Sequence, residues 1–332
     1  MTYDSPVSNL EKEPGEVALV DTPIVTTGTL EILAPRDVPL GGPRAMDVRR
    51  TLPQRSRSLI GAWCFVDHYG PDAVAVSGGM VVPPHPHTGL QTVSWLFTGE
   101  VDHRDSIGSH ALVRPGEINL MTAGSGIAHS EVSTPATTTL HGAQLWLALP
   151  DGDRHRAPSF EHFAPEPVVL AGASIRVFIG TLVGSTSPVA VFSPLVGAEI
   201  ELAAGAQLDL PVDESFEHGI LLDVGDVAVD DETVERSHLA YLAPGARSIR
   251  LRAGGNGARV LLIGGEPFGE RIVMWWNFIG RTHDEIVQYR TEWQADVVAG
   301  GRDDGRFSLV RGYDGRPLPA PELPNVRLKP RE

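Results

Sequence analysis

The sequence predicts an all-β protein made of two related β domains and closed by one helix near the C-terminus. Three observations carry that expectation. The 332 residues include 36 glycines and 27 prolines, more breakers than average usage supplies, so elements must be short and turns many. From about residue 28 to 270 short apolar runs alternate with turn residues, as where Thr92–Phe97 is followed by Thr98-Gly99-Glu100. Finally, Gly99-Glu100-Val101, Pro115-Gly116 and Ala123-Gly124 recur in the same order as Gly225-Asp226-Val227, Pro244-Gly245 and Ala253-Gly254, at an offset near 126 to 130. Common order and spacing point to duplication of one β domain.

Taken in order, residues 1–28 are acidic and interrupted by Pro6, Pro14 and Pro23, which reads as a flexible lead-in. Residues 29–155 form the first domain. Pro150-Asp151-Gly152-Asp153, Ala157-Pro158 and Pro165 to Pro167 mark the border, and 156–270 form the second domain. Within 271–332, Thr282 and Glu285 make a capping box, and Ile286, Tyr289, Trp293 and Val297 follow at helical spacing. The Pro-, Gly- and Arg-rich stretch from Gly300 onward reads as a surface tail.

Composition narrows the function. Hydrophobic residues are 42% and charged residues 21%, so the chain folds, and 332 residues suffice for two cores. A net charge of −15 opposes direct nucleic-acid binding, which depends on Lys and Arg neutralising phosphates. The local exception, Arg44, Arg49, Arg50, Arg55 and Arg57 against a single Asp47, reads as a solvated face or an inter-domain brace. With Cys64 alone, no intramolecular disulfide is available. The acidic N-terminus is no targeting segment and no apolar run reaches about 18 residues, so a soluble, cytoplasmic protein with no membrane attachment is expected. No phosphate-binding loop, dinucleotide fingerprint or nucleophile elbow occurs, and Gly124-Ser125-Gly126 reads as a tight turn.

Seven of the 12 histidines lie between His68 and His141. Residues two apart on a strand share a face, so His85 and His87 can aim two imidazoles at one point, with Pro86 between them placing the run at a strand edge or start. His129 and Glu131 repeat the spacing with an imidazole and a carboxylate. Together the pairs supply three nitrogens and an oxygen, a set suited to iron, nickel, zinc or manganese and, without thiolates, unlike a structural zinc cage. Four ligands on a six-coordinate ion leave positions for water, substrate or dioxygen. One His on a strand is more often core or surface than ligand, and His68, His103, His110 and His141 lack the paired spacing, so they are assigned to structure or to orienting a ligand. His155, His162, His218, His238 and His283 are taken as surface residues. Under the repeat offset His85, His87 and Gln91 fall on Pro211, Asp213 and Glu217, and His129 and Glu131 on Arg259 and Leu261, so the second domain is expected to lack the metal.

The segments FVDHYGP (65–71), HPHTGLQTVSWLFTGEVDHRDSIG (85–108), RPGEINLMTAGSGIAHSE (114–131), HGAQLWLALP (141–150) and GGEPFGERIVMWWNFIGRTHDEI (264–286) resemble the pirin family of bicupins, over roughly residues 30 to 300. The resemblance implies two stacked cupin-type antiparallel β-barrels, with one Fe(2+) in the N-terminal barrel on His85, His87, His129 and Glu131. Thr88, Gln91 and Ser125 depart from the commoner Arg, Glu and Arg, and Gln91 implies a less charged pocket rim. Two roles follow from the resemblance. One is a quercetin 2,3-dioxygenase that opens a flavonol with O2, Glu131 accepting the 3-hydroxyl proton. The other is a non-enzymatic iron-binding regulator of a transcription factor or metabolic enzyme.

Overall fold

The computed structural model describes residues 30–40 and 46–331, so the expected lead-in at 1–28 and Arg44 lie outside the described residues. Two antiparallel β-barrels and a C-terminal cap make up the fold. In the first barrel a seven-stranded sheet runs in the order Ser159–Phe163, Ile118–Thr122, Leu90–Thr98, Thr139–Ala148, Trp63–Ala73, Met46–Leu52 and Arg36–Leu40. It faces a four-stranded sheet ordered Val81–His87, Ile127–Ser133, Val101–Asp105 and His110–Val113. The second barrel is one nine-stranded sheet built around the long strands Glu217–Val229 and Ser248–Gly265, whose register shifts let them bend.

Strands cross the expected domain borders in both directions. Glu31–Leu33 pairs with Leu239–Leu242 of the second barrel, while Ser159–Phe163, past residue 155, pairs with Ile118–Thr122 of the first. Each barrel thus holds a strand that lies on the other side of the border in sequence.

Strand Leu90–Thr98 shows how alternation positions the centre. It is buried on both faces up to Phe97. Val93, Trp95 and Phe97 enter a core shared by both barrels, alongside Phe178, Ile179, Leu221, Leu261 and Ile263. On the other face Ser94 and Leu96 point into the first barrel. In strand Trp63–Ala73, likewise, Val66 joins the shared core while Asp67 and Tyr69 line the lumen.

The second barrel's lumen is filled by aliphatic side chains, among them Ile175, Val177, Ile200, Leu222, Val260 and Leu262. Strand pairing corrects the counterparts given by the sequence offset. The inward pair His85↔His129 of the first barrel has as inward counterparts Leu208↔Leu251 and Leu210↔Ile249, a few residues short of the offset read from the repeat. Among the described residues no metal-compatible trio lies within this lumen.

The capping box forms as predicted, with Thr282 accepting from the Glu285 N–H, and Ile286, Tyr289, Trp293 and Val297 are buried. The helix His283–Glu292 continues as a π-helix over Trp293–Ala299. The stretch after Gly300 is not merely a surface tail, because Phe307, Val310 and Ala320 pack with Trp293, Phe278 and Ala128 of the first barrel. Its apolar residues sit too far apart to show a period, so only the tertiary contact reveals them. Among the described residues no helix is long and apolar enough to cross a membrane.

The arginine run resolves into separate contacts. Arg50 is buried, pairing bidentately with Asp67 at 2.6 and 2.8 Å and lying over the Phe65 ring, so it is not on a solvated face. Arg57 does bridge the barrels, stacking on Tyr241 at 3.3 Å and reaching Glu217 at 3.7 Å. Arg55 is exposed.

Candidate metal centre

Strand Val81–His87 lies antiparallel to Ile127–Ser133, with His85 directly opposite His129. Pro83, Pro84 and Pro86 lack ladder N–H groups, which the strand tolerates because it is the edge of its four-stranded sheet. Alternation sends His85 and His87 inward, and His129 and Glu131 meet them from the neighbouring strand. His85, His87 and His129 are each 1% exposed, and their ligand nitrogens lie within 4.8 Å of one another.

The proton-bearing sides of two rings are anchored. His85 Nδ1 is 2.9 Å from the Pro83 carbonyl oxygen and His87 Nδ1 is 3.2 Å from that of Asn277. Each carbonyl accepts an Nδ1–H, which leaves the Nε2 lone pair facing the lumen. His87 Nε2 and His129 Nε2 are 3.1 Å apart. That is the separation of adjacent ligands each about 2.1 Å from one ion. Burial pushes the His85 imidazole down to about 4 and those of His87 and His129 well below the ordinary value, so all three are neutral and able to ligate near neutral pH. The residues present fit a divalent cation.

Glu131 lines the same cavity, but its carboxylate groups with His129 and His103 rather than with His85 and His87. Its Oε1 accepts from Ser94 Oγ at 3.0 Å, and Ser94 Oγ lies 3.1 Å from Gln144 Oε1. Burial raises the Glu131 carboxyl above its ordinary range. Asp67, Tyr69, Met80, Val82 and Trp146 complete the walls, and Trp146 stacks on Phe65 at 4.0 Å while presenting its edge to His87. The cavity volume is about 10 Å³, at the lower limit of what a single water needs.

Gln91 is not at this rim. It faces the shared side of its strand and donates to Thr122 Oγ1 and to the Ala190 carbonyl, 2.9 Å each. Thr88 reaches the Ile279 carbonyl, and the Ser125 carbonyl accepts from Arg306 of the C-terminal stretch at 2.8 Å. Gly126 N–H bonds the Ala123 carbonyl, closing the tight turn expected there, and a Cβ on Gly124 would stand 2.1 Å from the Arg156 carbonyl oxygen.

Spacing misses several residues that serve the centre. Asn277, Ser94 and Gln144 come from distant segments with no motif to announce them. His103 and Asp105 do carry the i, i+2 signal that selected the ligands. His110 is exposed beside Asp102, whereas His218, expected at the surface, is 1% exposed on the lumen face of the second barrel.

His68 and His141 meet Asp223 of the second barrel, their Nε2 atoms 2.7 and 2.5 Å from its Oδ1, with Arg259 Nε 2.6 Å from Oδ2 and Ser237 Oγ 2.8 Å from His68 Nδ1. His68 and the Arg259 guanidinium satisfy the two oxygens of this carboxylate and His141 lies against it, so the cluster ties the two barrels together.

Comparison with known proteins agrees with this architecture. Residues 45–147 match the pirin family model and residues 197–298 the pirin C-terminal cupin domain. A Pseudomonas aeruginosa protein provisionally named a quercetin 2,3-dioxygenase is 40% identical over 96% of this chain and 98% of its own. A pirin-like protein of Caulobacter vibrioides is 36% identical over 83% of this chain and 94% of its own. The crystal structure of a quercetin 2,3-dioxygenase from Acinetobacter baumannii superposes with a TM-score of 0.83 at 38% identity, covering 90% of this chain and 97% of that one.

Proposed function

The chain belongs to the pirin family, and from that premise we propose that it is a metal-dependent dioxygenase of the quercetin 2,3-dioxygenase type, holding one divalent ion, Fe(2+) in the first instance, on His85, His87, His129 and Glu131. The observation that carries the reading is the convergence of three neutral, buried imidazoles, two of them 3.1 Å apart, beside a buried carboxylate. When bound, such an ion supplies Lewis-acid and redox chemistry and lowers the pKa of a coordinated hydroxyl.

The chain's own residues supply the rest. Burial makes Glu131 a stronger base than an exposed carboxylate, suited to taking the 3-hydroxyl proton of a flavonol. Ser94 holds Oε1, leaving Oε2 for that proton. Trp146 and Tyr69 offer aromatic walls.

One observation favours the alternative, a non-enzymatic metal-binding regulator with a protein partner. A space of about 10 Å³ admits no flavonol without movement of the walls. The two readings separate in one experiment. Protein loaded in turn with iron, nickel or manganese is mixed with quercetin and oxygen, and oxygen-dependent loss of the flavonol absorbance is expected. A protein inert with every metal would overturn the dioxygenase reading and leave the regulator.

A further inference from the structure

Behind His129, away from the cavity, two buried polar atoms face each other. His103 lies on strand Val101–Asp105, directly across from Glu131, and Asp105 lies across from His129. His103 is 2% exposed, as is Asp105, and the His103 ring stacks on Phe160 at 4.8 Å. His103 Nδ1 is 3.4 Å from His129 Nδ1. On the other side of the ring, His103 Nε2 and Asp105 Oδ2 are 3.6 Å apart, each buried with no hydrogen-bond partner. Asp105 Oδ1 is already engaged, accepting the N–H groups of Ile107 and Ser109 at 3.1 and 2.8 Å.

We propose that Asp105 and His103 form a positioning relay that fixes the tautomer and ring orientation of His129, an inference that rests on the metal reading of His85, His87 and His129. The proton count leaves one arrangement. If His129 turns its Nε2 lone pair to an ion, its proton sits on Nδ1, so His103 Nδ1 must accept it. The His103 proton then sits on Nε2, facing Asp105 Oδ2. A ring adjustment of less than an ångström closes that gap and satisfies both orphaned atoms, as buried polar groups require. The carboxylate–imidazole–imidazole chain raises the basicity of the ligating nitrogen, as carboxylates behind metal-bound histidines do. His103 also stands within 4.8 Å of Glu131, but turning toward it would leave Asp105 Oδ2 buried and unpaired.

Asp105→Asn tests the relay without breaking the turn, because its remaining oxygen still accepts from Ile107 and Ser109. The new amide opposes the His103 Nε2–H, drives the proton to Nδ1 and sets it against the His129 Nδ1–H. Ni(2+) affinity, measured by chelator competition, should fall about 10–100-fold. His103→Leu should fall as far, His103→Asn, which keeps an acceptor near Nδ1, should recover much of the loss, and the Asp105→Asn/His103→Leu pair should be no worse than either single change. Wild-type Ni(2+) affinity in Asp105→Asn, or additive losses, would overturn the relay while leaving the metal reading intact. Should the wild type bind no Ni(2+), the metal reading fails, and nitrogen-15 NMR of the metal-free chain still decides the relay. Protons on His129 Nδ1 and His103 Nε2 support it, and the opposite tautomer of His103 refutes it.

Discussion

Trp95 of the first barrel donates its indole N–H to the carboxylate of Glu199 in the second at 2.7 Å, both side chains buried. Trp63 does the same toward the Gly264 carbonyl at 3.1 Å. Around these bonds the two barrels share one apolar core, to which each contributes side chains from its sheet. A chain ending at residue 164 should therefore be insoluble or metal-poor although His85, His87, His129 and Glu131 all remain, because the shared core becomes an exposed apolar patch. A soluble, fully metallated fragment would show the second barrel to be dispensable.

Trp95→Phe keeps the packing but removes one donor from a buried carboxylate that retains Arg176 at 3.4 Å. Loss of roughly 1–3 kcal/mol in chemical denaturation is expected. An unchanged midpoint would mean that water replaces the indole.

Metal content should be about one ion per chain, and changing His85 and His129 together to alanine should abolish it. Elemental analysis decides the matter, and a full equivalent retained by the double variant would place the ion elsewhere.

Glu131→Gln keeps an oxygen donor but is a far weaker base. If Glu131 takes the substrate proton, the variant retains much of its metal and loses about 10²–10⁴-fold in turnover. Undiminished turnover in the loaded variant would remove the base role and spare the dioxygenase.

Acid should destabilise the protein well above the carboxylate range. Burial lowers His68, beside Asp223, Arg49 and His141, to about 4, and lowers His218 to about 4 as well. Both titrate near 6.5 when unfolded, so the unfolded chain binds more protons between these values. Their contribution is complete above about pH 6.5 and is lost as pH falls toward 4, roughly 3 kcal/mol for each. The urea midpoint should drop between pH 7.5 and 5, and His218→Gln should flatten that dependence. A midpoint level across this range would contradict burial of the neutral rings.

Phe307 is fully buried within the cap that covers Ala128. Phe307→Ala should cost about 3–5 kcal/mol, in the range of a core phenylalanine. A stability change below about 0.5 kcal/mol, normal for a surface position, would restore the tail to the surface.

The parts legible in the sequence were those with a local signature. Strand alternation is a property of neighbouring residues, so His85, His87, His129 and Glu131 announce themselves by spacing, as Thr282 and Glu285 do by the capping box. Features set by tertiary contact were not legible. Arg50 looks like a surface charge until Asp67, directly opposite on the neighbouring strand, meets it. His218 resembles any lone histidine until Ile220 and Leu222 carry its face into the second lumen. Counting residues between repeats also misaligned the barrels, because turns of different length absorb the difference and only strand pairing restores it.

The carbonyl that orients His87 belongs to Asn277, 190 residues downstream. During synthesis the strands bearing all three imidazoles leave the ribosome long before that carbonyl exists. A nascent chain therefore presents both histidine-bearing strands while the His87 ring still lacks its anchor. Under the proposed reading, the cell would load the ion into a finished polypeptide, and its supply would matter after translation rather than during it.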